Sequence, residues 1–77
     1  MAWDEVDGKL ELVVKKPDFT GAIAFVNRVA DVAEELDHHP DIDIRYNTVT
    51  LRAWTHTTGG ISDKDRALAG RIDAIVD

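Results

Sequence analysis

One long stretch of helical period sits near the middle of the chain and limits what the rest can do. From Phe19 to Leu36 apolar residues recur at i, i+3, i+4 and i+7. Phe19, Ala22, Ile23, Val26, Val29, Ala30 and Ala33 form the stripe, and Phe25, Val32 and Leu36 widen it. Asn27, Arg28, Asp31 and Glu35 fall among the outward positions. Asp18 is a good N-cap, its side-chain oxygen able to accept from the orphan amides of a first turn. Pro40 stops the helix by about His39, because the residue before a proline is disfavoured in the α region. The chain has 77 residues, and one so short buries only about 60% of its unfolded surface. An apolar stripe this wide must therefore pack on a sheet or on a partner subunit.

Both flanks supply the sheet. Trp3 to Lys16 reads as a hairpin around the two-residue turn signal Asp7-Gly8, with Lys9-Leu10-Glu11-Leu12-Val13-Val14 as its second strand. Ile42 to His56 reads as another. Ile44 and Tyr46 alternate with Asp43 and Arg45, a polar turn follows at Asn47-Thr48, and Val49, Leu51, Ala53 and Thr55 then alternate with Thr50, Arg52 and Trp54. After the Gly59-Gly60 turn, Ser62 caps a last helix predicted over Asp63 to Val76, with Leu68, Ile72, Ile75 and Val76 facing inward. The order is β-β-α-β-β-α. It predicts one α+β domain over residues 1–77, a four-stranded antiparallel sheet with both helices on one face.

Composition removes several function classes. Fifteen acidic against nine basic residues give a charge of −6 and a pI near 4.8, which argues against nucleic-acid binding through a broad basic face. With no cysteine, disulfides, thiolate zinc sites and cysteine nucleophiles are excluded. No apolar run approaches the ~20 residues of a membrane span, and Met1-Ala2-Trp3-Asp4 does not read as a signal peptide. The expectation is a cytoplasmic protein.

All three histidines, His38, His39 and His56, lie at element ends, where side chains reach a common rim. Glu34 and Asp37 precede the pair, and Asp63 and Asp65 follow the glycine turn. Glu34 stands four residues before His38 and would share its helix face. A helix C-terminus and a neighbouring carboxylate both favour the protonated imidazole, as acid–base catalysis near neutrality requires. Plainer roles are open at the same positions. His38 and His39 could cap the helix, His56 could face solvent, and Asp65, three residues after Ser62, could belong to a capping box. Zinc is disfavoured, because adjacent histidines splay about 100° apart on a helix.

The string Glu34…His38-His39-Pro40, followed by Tyr46-Asn47, Thr55-His56 and Gly60-Ile61-Ser62-Asp63-Lys64-Asp65, resembles the pterin-4a-carbinolamine dehydratases along essentially the whole chain. That resemblance implies dehydration of a 4a-hydroxy-tetrahydropterin without metal or cofactor. It implies His38 and His56 as the proton-transfer pair, with His39 as a second acid–base or orienting group. Glu34 and Asp37 would tune or anchor, Thr55 would contact or orient the substrate, and Asp65 would orient His56. The pterin would be the partner, with neither nucleic acid nor membrane, on a homodimer or homotetramer. Relatives often carry a further N-terminal helix that this chain is expected to lack. Val14 and Lys16 stand where they often show an aromatic pair, and Trp54 where they commonly have a small residue. A second class stays open within the resemblance: a binding, assembly or transcriptional-coactivator module of the same fold.

Overall fold

Asp7 and Gly8 both adopt positive φ, 52° and 77°. A tight hairpin turn needs this if its twist is to match that of the strands. They close β1 (Asp4–Val6) on β2 (Lys9–Lys15). The computed structural model describes residues 3–76; Met1, Ala2 and Asp77, the ends of the expected domain, lie outside the described residues. Helix α1 (Phe19–Leu36), strands β3 (Asp41–Arg45) and β4 (Thr48–Ala53), and helix α2 (Asp63–Asp73) complete the order. The four strands form one antiparallel sheet in the order β1-β2-β4-β3. The α+β architecture read from periodicity is the one observed.

Register explains which face is dry. Leu10, Leu12 and Val14 pair with Ala53, Leu51 and Val49, and all six are buried. The alternate positions Glu11, Val13 and Lys15 face the other way, where Arg52 Nε donates to Glu11 Oε2 across the strands at 2.8 Å. Both helices cover the apolar face, with Val29 from α1 and Leu68 and Ile72 from α2 fully buried against it. Burying one such side chain stabilises by about 1.5–3 kcal/mol.

The ends of α1 fall where the caps place them. Asp18 Oδ1 accepts from the Gly21 amide at 2.8 Å. The phase of the stripe differs from the expected one. The buried residues are Ala22, Phe25, Val29, Val32 and Ala33, whereas Phe19 is half exposed, Ala30 is exposed, and Ile23 and Val26 are only partly covered. The apolar arc spans about half the helix, so spacing defines its width and not its centre. The sheet and α2 take the flank bearing Phe25 and Val32, and leave Phe19, Ile23 and Ala30 on the outer flank.

Three boundaries also move. The second hairpin turns at Tyr46-Asn47, one residue earlier than expected, since Arg45 pairs with Thr48. Tyr46 takes φ 54° and is exposed instead of alternating inward. Asn47 pins this turn to the end of β2, its Nδ2 donating to the Lys16 carbonyl and its own carbonyl accepting from the Lys16 amide. Strand β4 stops at Ala53, and Thr55 pairs only as an isolated bridge with Gly60. Helix α2 ends at Asp73, yet Ile75 and Val76 still pack on the core from the turn that follows. No helix among the described residues is long and apolar enough to cross a membrane.

Candidate active site

The end of α1 determines where the first two histidines point. Asp37 adopts the left-handed conformation (φ 50°, ψ 44°). The His38 amide then donates to the Ala33 carbonyl and the Asp37 amide to that of Glu34, as in a Schellman termination. Aspartate is one of the few residues other than glycine that tolerates this region. The reversal breaks the helical spacing just before the histidines. His38 turns inward, its side chain only 14% exposed, while His39 turns outward at 55%.

Each of the pair finds a carboxylate. His38 Nε2 lies 2.5 Å from Asp65 Oδ1, and His39 Nε2 lies 2.5 Å from Glu34 Oε2. The expected pairing on one helix face, Glu34 with His38, is therefore replaced by Glu34 with His39. Asp65 likewise holds His38, and not His56 as expected from the resemblance. Asp37 makes no side-chain hydrogen bond among the described residues and lines the rim of the cleft.

Asp65 is fully buried, and its Oδ2 meets only donors. Its Oδ2 accepts from Thr55 Oγ1 at 2.8 Å and from the Ser62 amide at 2.8 Å, the latter being the reciprocal arm of a capping box at the start of α2. Ser62 Oγ lies 2.6 Å from Thr55 Oγ1. With the threonine proton committed to Asp65, the serine hydroxyl is the donor of that contact. Burial alone raises the pKa of Asp65. Hydrogen bonds from His38, the Ser62 amide and Thr55, with the charge of His38, outweigh burial and hold the carboxyl below its ordinary value. Asp65 is thus a carboxylate, which can only accept, so His38 Nε2 carries the proton and Nδ1 is the nitrogen left for exchange.

His56 reaches the same cleft from the loop that follows β4. The loop that carries it is closed by the Thr55–Gly60 bridge, whose Thr55 amide donates to the Gly60 carbonyl at 2.8 Å, and Gly59 supplies the positive φ of 70° the turn requires. An open cleft of about 480 Å³ is lined by His38, His39 and His56 together with Pro40, Trp54 and Lys64. That volume lies in the range of small-molecule sites. Of the expected residues, the three histidines, Asp37 and Thr55 line the cleft, whereas Asp65 lies beneath it and Glu34 behind His39. The separation of Ser62 from Thr55, seven residues across a glycine turn, carries no sequence signal for the hydroxyl contact. Lys64, which no spacing marks as a site residue, brings a cation to a rim that also carries Asp37 and Asp41. Another cavity, of about 400 Å³, is lined by Trp3, Glu5, Leu10, Arg66 and Ala69. It holds no histidine. Among the described residues, no three His, Asp or Glu side chains converge as a metal-binding set.

Comparison with known proteins follows the same outline. The family model described as pterin 4 alpha carbinolamine dehydratase matches residues 1–75. A relative from Mycobacterium sp. (strain KMS), provisionally named a pterin-4-alpha-carbinolamine dehydratase, is 52% identical over 75 residues, covering 97% of this chain and 80% of its own. One from Herpetosiphon aurantiacus, named in the same way, is 52% identical over 73 residues, covering 95% and 76%. The crystal structure of a transcriptional coactivator/pterin dehydratase from Brucella melitensis superimposes with a TM-score of 0.92 at 33% identity, covering 99% of this chain and 83% of that one. A pterin dehydratase-like RuBisCO assembly factor of the alpha-carboxysome shares the fold, with a TM-score of 0.83 at 24% identity over 99% of this chain and 90% of its own.

Proposed function

The chain belongs to the pterin-4a-carbinolamine dehydratase family, and on that premise we propose that it dehydrates a 4a-hydroxy-tetrahydropterin to the quinonoid dihydropterin and water, as in tetrahydrobiopterin recycling. The observation that carries the reading is the convergence of three imidazoles on one cleft, two of them held by carboxylates.

The reaction breaks the C4a–O bond as a proton adds to the hydroxyl, and N5 loses its proton as the C4a–N5 double bond forms. The nitrogen lone pair drives the departure, so the protein has only to supply one proton and take one up. No electron is transferred. Each positioned acid or base is worth about 10²–10⁴-fold. His38 and His56, which both line the cleft, form the proton-transfer pair in this reading, with His39 as a second exchange group or ring anchor. Glu34 fixes His39, Asp65 and Thr55 fix His38, and Asp37 anchors substrate at the rim.

The direct test is the decay of chemically generated 4a-hydroxy-tetrahydropterin, followed by ultraviolet absorbance. Acceleration by the wild type, absent from a His38→Ala/His39→Ala double variant that remains folded, is the expected result. No acceleration by folded wild type overturns the reading.

The proposal carries with it a cytoplasmic homodimer or homotetramer formed by the single domain. Its support is the outer flank of α1, where Phe19 is half exposed and Ile23 is not packed on the core. A Phe19→Glu/Ile23→Glu variant should keep its helical circular dichroism and fall to a smaller species in light scattering. A monomeric wild type would sink the oligomer. A second reading, binding or assembly without turnover, is favoured by the same apolar flank and by the names of the two solved neighbours. It becomes the leading one if the absorbance test shows no acceleration.

A further inference from the structure

The three imidazoles of the cleft are restrained in two different ways. His38 and His39 each commit Nε2 to a carboxylate. His56 makes no side-chain hydrogen bond or ion pair among the described residues. What it has instead is the indole of Trp54, stacked on it with ring centroids 3.9 Å apart and planes 17° from parallel. Strand β4 has ended at Ala53 and His56 already lies in the turn that follows; Thr55 between the two rings bonds Asp65, and the rings lie side by side.

The indole is itself braced. Lys9 Nζ stands 4.9 Å from the ring centroid, and Trp54 Nε1 donates to Asp41 Oδ2 at 3.3 Å. Lys9 belongs to β2 and Asp41 to β3, the two strands that flank β4. The Trp54 ring is thus tied to both neighbours of the strand from which it springs, while the loop carrying His56 is exposed. An indole face held by two neighbouring strands, next to a ring with no hydrogen-bond partner of its own among the described residues, is the arrangement that sets the ring's orientation.

We propose that Trp54 is the positioning residue for His56, its indole face doing for this imidazole what Asp65 and Glu34 do for the other two. The difference has a chemical consequence. A carboxylate occupies one imidazole nitrogen, whereas a stacked ring occupies neither, so both nitrogens of His56 remain available to the cleft. One can take a proton from the substrate side while the other releases a proton to water, with no ring flip between them.

The catalytic half of this inference rests on the dehydratase reading; the stack does not. The experiment therefore has two arms on the same proteins: wild type, Trp54→Leu and Trp54→Phe. In the first, proton NMR of the imidazole ring, assigned with His56→Gln, should place the wild-type His56 signals upfield through the indole ring current. The shift should be lost in Trp54→Leu and largely kept in Trp54→Phe. In the second, Trp54→Leu should lower kcat for carbinolamine dehydration roughly 10- to 100-fold, as a misplaced catalytic group does, with KM changed less, and Trp54→Phe should recover most of the loss. His56 signals that are the same in wild type and Trp54→Leu overturn the proposal. So does an unchanged kcat in a Trp54→Leu variant whose ring shift is lost. A wild type without turnover overturns the dehydratase reading, and with it the catalytic half alone, because the ring shifts still decide whether Trp54 orients His56.

Discussion

Replacing His38 by glutamine is expected to abolish most dehydration while leaving the protein folded. The imidazole is 14% exposed and bonds Asp65 through Nε2. A glutamine amide can reach the same carboxylate with an N–H, so the buried anion keeps a donor, but it cannot exchange a proton near neutrality. kcat should fall about 10²–10⁴-fold, the usual worth of a positioned acid–base group. The melting temperature should move by only a few degrees, since about 1 kcal/mol corresponds to roughly 4–8 °C in a domain of this size. His38→Ala should lose the same activity and more stability, because Asp65 then loses a charge-assisted bond worth about 1.5–3 kcal/mol. Steady-state kinetics beside thermal melts separates the two effects. Turnover by His38→Gln within a few-fold of wild type would remove His38 from the proton-transfer pair.

The second large effect belongs to Asp65. This carboxylate receives His38, Thr55 and the Ser62 amide while fully buried. Asp65→Ala strands all three donors and removes an arm of the capping box, for an expected loss of roughly 3–5 kcal/mol. Against a typical total of about 5–15 kcal/mol, that is a large share of the stability, and it unfolds much of the protein where the total lies at the low end of that range. Asp65→Asn is the more informative change. Its amide oxygen can take the place of Oδ2, but its NH₂ then faces His38 Nε2, where two donors meet. The imidazole must move its proton to Nδ1, the nitrogen that wild type leaves free, so activity should fall well beyond the loss in stability. A similar change beside the histidine of a serine-protease triad costs about 10⁴ in kcat through the wrong tautomer.

Acid should expose the same group. The folded pKa of Asp65 lies below its ordinary value, near 3.9 for an unfolded aspartate. Its stabilisation is therefore complete above about pH 4 and is lost as pH falls from there through the folded value. The stability gap between wild type and Asp65→Asn, measured by urea titration, should be widest near neutrality and shrink below pH 4. A gap that stays constant down to pH 3 would mean that Asp65 is not held ionised by its neighbours.

Which features were readable in the residues follows from how local each one is. The Asp7-Gly8 turn, the Asp18 cap and the end of α1 depend on a few adjacent residues, and they stand where the pattern places them. The phase of α1 does not, because ten apolar residues spread over half a helix leave the buried centre to be chosen by β4 and α2. The histidines could be gathered to one rim from their positions at element ends. Their partners could not be assigned. Asp37 turns left-handed one residue before the pair and cancels the i, i+4 relation that would join Glu34 to His38. Asp65 carries an obvious local job as a helix-start residue, and its contact with His38, 27 residues away, exists only once α2 has docked beneath α1. The stacking of Trp54 on His56 is local in sequence, but spacing alone does not say that an indole would be braced from both neighbouring strands.

The double engagement of Asp65 also bears on how activity should be inferred in descendants of this fold. A lineage that abandoned turnover for a scaffolding task would release His39, Glu34 and His56 from selection, since each is exposed and none holds an element in place. Asp65 and Thr55 would be retained regardless, because α2 cannot start properly without them. The persistence of that aspartate in a relative therefore does not by itself testify to chemistry, and drift at His39 and His56 is the mark by which a retired enzyme would be known.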